Sequence, residues 1–250
     1  MRRYQVVCQG IAPLLMDNMS DAVLEGLRTG VRPQVKKDRP ARVEAGEKIY
    51  REGNEPTGKI GLPITMLFAC LVAAGRMVAF RGKKMISTAE TTLLPDFFTL
   101  VGDFLYLREA QDGETEDLWV VDKRRGQGNT GVAVCVTRPK FNKWSFEVVL
   151  EFDDKKADLS TIQALFTNAG SAQGLGSFRP NKRGPFGRFT AANWVDITPK
   201  EWLEASKPEK APKAVVKPVT ISEQPTTDGN GDGTKLSSKP EGELVGAGSR

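Results

Sequence analysis

The chain has 250 residues, 39% hydrophobic and 27% charged, which suits one sizeable soluble domain with insertions or two small ones. A formal net charge of +5 and a pI near 9.1 favour polyanionic partners. Histidine is absent, which excludes a histidine acid–base pair, a Ser-His-Asp triad and an HD-type metal site.

Tyr4, Val6 and Cys8 alternate with Arg3, Gln5 and Val7, predicting a first strand over residues 2–9. Residues 10–18 turn off it, with Pro13 barring further pairing and Asp17 and Asn18 expected to serve turn bonding or helix capping. A short helix is predicted from Ser20 as N-cap to Leu27, with Val23, Leu24 and Leu27 as its apolar stripe. Residues 32–42 are rich in cations and proline. They read either as a solvated loop or as a basic finger over bound nucleic acid carrying Lys36, Lys37 and Arg39. Leu62 to Gly75 is apolar all round and predicts the first core helix, with Met66 and Met77 as core filling. This window is too short and too interrupted to span a bilayer, and the basic start lacks the apolar stretch of a signal peptide. No membrane partner is expected, and the cytoplasm is the default compartment. Cys8, Cys70 and Cys135 each sit in an apolar run and read as buried free thiols, without zinc or disulfide spacing.

Phe97–Leu107 reads as a buried strand broken at Gly102-Asp103, with further short strands over 118–121 and 132–137. Between the last two, residues 122–131 read as a glycine-rich hairpin tip. Lys123, Arg124 and Arg125 there are either solvated or a nucleic-acid-binding arm. Arg138, Lys140, Phe141, Lys143 and Trp144 then interleave cations with aromatics, which suits backbone tracking and base stacking along a single strand. Trp144 is assigned to the core and Phe141 to stacking.

Phe146, Val148, Leu150 and Phe152 continue the inward period of Trp144, predicting a strand with one buried face. Ser160 and Gln163 have capping-box spacing ahead of Ile162, Leu165, Phe166 and Ala169, with Gly170 as the expected residue past the helix end. A loop over residues 174–189 follows, carrying Gly174, Gly176, Gly184 and Gly187, the cations Arg179, Lys182, Arg183 and Arg188, and Phe178 among its aromatics. Glycine turns let a ligand approach the backbone, cations contact phosphates, and phenylalanine faces accept bases. A tight connection with solvated cations is the alternative reading. A final strand through about Trp194 completes strand–helix–loop–strand, half of a split βαβ sheet.

Gly174-Leu-Gly176 followed by Gly184-Pro-Phe-Gly187 resembles the glycine-rich loop closing the last ferredoxin-like repeat of the RAMP superfamily, RRM-like proteins that bind or process guide RNA in CRISPR complexes. The chain is also similar to an uncharacterised group of phage and mobile-element proteins through Pro13-Leu14-Leu15-Met16 and Arg138-Pro139-x-Phe141-x-x-Trp144. These matches lie at the two ends of roughly the first 195 residues. The resemblance implies a nucleic-acid-binding α+β fold, with no chemistry of its own. RAMP endoribonucleases commonly use a histidine, which this chain lacks.

The expected architecture is therefore a ferredoxin-like, RRM-like antiparallel sheet with two helices over residues 1–204, with insertions at about 12–60 and 80–135. A Lys/Pro- then Gly/Ser/Thr-rich tail over 205–250 is expected to be disordered. Within the tail, the calcium-loop imitation starting at Asp228 places Lys239 where a glutamate is needed, so no metal or cofactor is expected. The function expected is non-enzymatic binding of single-stranded nucleic acid with little sequence preference, by copies that oligomerise along the strand. DNA is favoured if the protein is phage-encoded, in the host cytoplasm. The alternatives are a RAMP-type nuclease, drawing on Asp96, Asp103, Glu109 or Asp122, and a guide-RNA-dependent CRISPR-like effector subunit.

Overall fold

Strand β10 (Ser145–Phe152) shows how the sequence pattern becomes architecture: Phe146, Val148, Leu150 and Phe152 are buried, and Glu147 is exposed. In the computed structural model β10 pairs with β1 (Arg2–Gly10) and with β6 (Phe98–Val101), and β1 pairs with β11 (Phe189–Asp196). All three pairings are antiparallel, and the sheet order is β11-β1-β10-β6. Helix α3 (Ile64–Ala74) connects β1 to β6, and helix α4 (Leu159–Asn168) connects β10 to β11. This is the ferredoxin-like split βαβ topology expected from the sequence. The structure describes residues 1–31, 39–80, 82, 84–110, 118–127 and 132–205. Residues 206–250 of the expected tail, Lys36 and Lys37 lie outside these, as does the hairpin tip at 128–131. The compact unit they belong to is Met1–Pro208.

One face of the sheet carries the core. Phe98 and Trp194 both meet Phe166 of α4 edge-on, at 6.5 and 5.3 Å between centroids, and Tyr4 stacks on Phe152. Leu67, Cys70, Leu71 and Ala74 of α3 are buried beside them. The other face is open and bears Arg3, Gln5 and Val7 of β1 opposite Glu151, Val149 and Glu147 of β10. Its polar groups pair with one another: Arg3 donates to Glu151 at 2.8 Å, and Gln5 donates to Glu147 at 2.7 Å.

The remaining elements are inserted into this frame. Between β1 and α3 lie β2 (Leu14–Leu15), α1 (Asp21–Thr29), α2 (Ala41–Gly46) and β3 (Gly61–Pro63). Two short strands after α3, β4 (Ala79–Phe80) and β5 (Lys84–Met85), pair with each other. Between β6 and β10 come β7 (Phe104–Tyr106), β8 (Val120–Gln127) and β9 (Ala133–Phe141), and α5 (Lys200–Ala205) follows β11. The single strand expected over Phe97–Leu107 is two. Gly102 takes φ 100, and beyond it β7 leaves the main sheet to pair with β3. No helix among the described residues is long and apolar enough to cross a membrane.

Several sequence expectations need correction. Asp158, two residues before Ser160, is the N-cap of α4; its carbonyl already accepts the Thr161 and Ile162 amides, so Ser160 stands inside the helix. Gly170 does not end the helix, which runs on through a π-helical turn, Ala169–Gln173. Its role is close approach, because a Cβ there would overlap the Phe189 carbonyl at the start of β11. Helix α1 forms as expected behind Ser20, yet none of its residues is buried and Leu27 is 69% exposed. Met77 is exposed rather than core, because it follows the end of α3 in a 3-10 turn. Cys8 and Cys70 are buried as expected; Cys135 is exposed on β9.

Candidate nucleic-acid interface

The hairpin β8–β9 and the loop 174–188 come together around β2. Leu14 and Leu15 pair with Phe141 and Lys140 of β9, and on the free side of β2 the Ser177 amide donates to the Leu15 carbonyl at 2.7 Å. The Gly187 amide donates to Pro13 at 2.8 Å, and the Leu175 amide donates to the Gly187 carbonyl at 2.9 Å. The loop thus extends the β8-β9-β2 sheet by one irregular edge, and the Pro13–Met16 turn is the shared support.

Side chains close the same junction. Cross-strand partners share a face, so Asp122, Arg124, Val136 and Arg138 point to one side of the hairpin. On that side Arg124 lies 4.5 Å from the Phe186 ring centroid and 5.8 Å from that of Phe178. Phe178 and Phe186 are 6.1 Å apart; Phe186 is buried and Phe178 is 38% exposed. Arg138 donates to Asp17 at 2.8 Å, and the Tyr50 hydroxyl donates to the Asp17 carbonyl at 3.4 Å. Burial raises the Tyr50 phenol above its usual range, the Asp17 charge adds to this, and the Arg179 guanidinium opposes both. Phe186 was visible only as part of the Gly184-Pro-Phe-Gly187 motif, and Tyr50 and Asp17 carried no signal in the sequence that set them apart from core or turn residues.

The predicted cations divide by what already holds them. Arg39 pairs with Glu47, Arg124 with Asp122 and Arg138 with Asp17, so each is at least half spent on structure. Arg179 donates to the Gly176 carbonyl at 2.7 Å and straps the loop. Among the described residues no carboxylate lies within ion-pair distance of Lys182, Arg183 or Arg188 in the loop, of Lys140 near the end of β9 and Lys143 in the turn after it, or of Lys123 and Arg125. Lys123, Arg124 and Arg125 do not form one cluster at a turn. They lie within β8, whose two-residue period turns Lys123 and Arg125 to the face opposite Arg124. Phe141 is a further correction: its pairing with Leu14 puts the ring in the core at 0% exposure, so it does not stack on a ligand. Trp144 is core as expected, its indole N–H donating to Ala12 at 2.7 Å.

The carboxylates considered for metal-dependent cutting stand apart. Asp122 is held by Arg124, and Glu109 accepts from the Ser145 amide and hydroxyl, both at 2.7 Å. Asp96 lies in a 3-10 turn before β6, and Asp103 lies in the turn after it. No cluster of acidic or cysteine side chains able to hold a metal occurs among the described residues. On the open face of the main sheet β1 and β10 contribute no aromatic ring; Glu151 is paired with Arg3 and Glu147 with Arg108, and the Trp202 ring of α5 lies 4.8 Å from the Arg3 guanidinium, so its cations are already engaged. The arrangement therefore places cations and an exposed ring on the loop and hairpin.

No family model matches the chain, and no curated protein matches it in sequence. Among solved structures it is similar to a chain of a cryo-EM structure of the Type III-B Cmr-beta bound to cognate target RNA, with 10% identity and a TM-score of 0.42. The match covers 78% of this chain and 61% of that one, so this chain spans about three fifths of its length.

Proposed function

We propose that this protein binds single-stranded nucleic acid without cleaving it, with little sequence preference, through the junction of the 174–188 loop with the β8–β9 hairpin. The observation that carries the reading is the set of cations Lys182, Arg183, Arg188 and Lys140, without a carboxylate partner among the described residues, gathered on elements that also hold Phe178, 38% exposed, against Arg124 and Phe186. Unpaired cations give phosphate affinity by releasing counterions, and that affinity carries no base preference. An exposed aromatic among them suits a strand whose bases are unpaired. Copies are proposed to line up along the strand in the cytoplasm. The uncovered apolar stripe of α1 supports this, being the surface a neighbouring copy would cover.

The test is a fluorescence-anisotropy titration with labelled single-stranded DNA, single-stranded RNA and duplex DNA at two salt concentrations, with the products run on a gel. Salt-sensitive binding of a single strand that stays intact is the expected result. Cleavage of the strand, or no binding to any of the three, would overturn the reading. The masses of complexes on short and long oligonucleotides report whether copies assemble side by side.

A further inference from the structure

Phe178 combines two features that oppose folding. Its φ is +49, a region that bulky residues avoid, and the residue is 38% exposed in the middle of a well-packed loop. The loop enforces this. The Phe186 amide donates back to the Phe178 carbonyl at 3.4 Å, the Gly184 amide donates to the neighbouring Arg179 carbonyl at 3.0 Å, and a Cβ at Gly184 would overlap the Phe178 carbonyl. The backbone crossing at Gly184 therefore fixes Phe178 with its ring outward. Phe186, tilted at 35°, and the Arg124 guanidinium lie 6.1 and 5.8 Å from the ring centroid and back the ring, while the residue keeps part of its surface in water. Lys182 and Arg183, four and five residues on, supply charge on the same loop. Local strain of this kind is kept where the surroundings over-determine it, and such places are commonly sites.

We propose that Phe178 is a stacking platform for one unpaired base, and that this contact makes the site select single strands over duplex. The inference rests on the nucleic-acid reading above. Phosphates held by the loop cations leave a neighbouring base free to find a flat apolar partner, and the backed ring is that partner. In a duplex both faces of every base are already stacked, so the ring gains nothing there while the cations still bind.

Backbone strain supplies a fold-safe test, since glycine adopts φ +49 without steric strain, which offsets its entropic cost. Wild type, Phe178→Gly and Phe178→Trp are compared for binding to a single-stranded oligonucleotide carrying 2-aminopurine and to a plain duplex, and for Tm. Wild type is expected to prefer the single strand and to change the 2-aminopurine fluorescence on binding. Phe178→Gly should keep its Tm and its duplex affinity. It should lose about 5- to 150-fold in single-strand affinity, with loss of the fluorescence change. Phe178→Trp should restore both. An unchanged single-strand affinity and fluorescence response in Phe178→Gly would overturn the platform and leave the cationic site standing. A lowered Tm in Phe178→Gly would mark the ring as packing and overturn it equally. Failure of wild type to bind either polymer would instead remove the underlying reading.

Discussion

Replacing Lys182, Arg183 and Arg188 together is the most direct perturbation of the phosphate contacts. Their side chains are exposed and, among the described residues, have no carboxylate partner, so their charge is available to a ligand. Arg183 has φ +60 and is best replaced by asparagine, which tolerates that region; glutamine serves at the other two. For a single strand, each neutralised phosphate contributes about 0.7 to the slope of log K against log salt. Loss of three contacts should flatten the slope by about 2. Near 0.1 M salt each contact corresponds to about 1 kcal/mol, so affinity should fall about 100-fold. Exposed, unpaired cations contribute little to folding, and Tm should stay within about 2 °C. Anisotropy across a salt series, with a melting curve for each variant, reads both quantities. An unchanged slope would place the phosphates elsewhere, and a parallel collapse of Tm would make the three side chains structural.

Lys123→Gln with Arg125→Gln should cost far less affinity than the loop variant, because β8 turns both away from the loop; an equal or larger loss in the same titration would move the site to the hairpin's opposite face. Gly170→Ala should destabilise by about 1–3 kcal/mol in a denaturant titration, because its Cβ overlaps the Phe189 carbonyl; a neutral result would show that β11 shifts freely. Of the three thiols only Cys135 should react quickly with a thiol reagent in the native protein, since burial pushes the Cys70 thiol up to about 12 and raises that of Cys8 as well. The sign follows: both are thiols in the folded state while the unfolded chain ionises near 9.0, so their stabilisation is whole below pH 9 and is lost as pH climbs toward 12. Stability that holds flat from pH 8 to 11 would contradict their burial.

Much of the frame was legible because it is local. The two-residue period of β1 and β10 and the apolar run of α3 appear in the sequence as they do in the sheet and its helix layer. The misread site residues come from pairings that residue types alone do not show. Phe141 looks like a stacking residue among cations until β2, far back in the chain, takes it as a ladder partner and buries it. Lys123, Arg124 and Arg125 read as a turn because Gly126 follows them, yet β9 draws them into a ladder that separates their faces. Asp17 gave no hint of its partner Arg138, since the contact exists only once β2 has docked on β9. The loop was the reverse case: its glycines and cations were visible, but the strain at Phe178 arises from the backbone crossing at Gly184, which no pattern of residue types reveals.

Where a bound strand lies is tested most directly by photo-crosslinking the full-length protein to oligo-dT and to oligo-U, then locating the adducts by mass spectrometry. Adducts on peptides from residues 174–188, together with residues near the end of β9, are the predicted result. Adducts confined to β1 and β10 on the open sheet face, with none in the loop, would contradict the assignment of the loop as the nucleic-acid site.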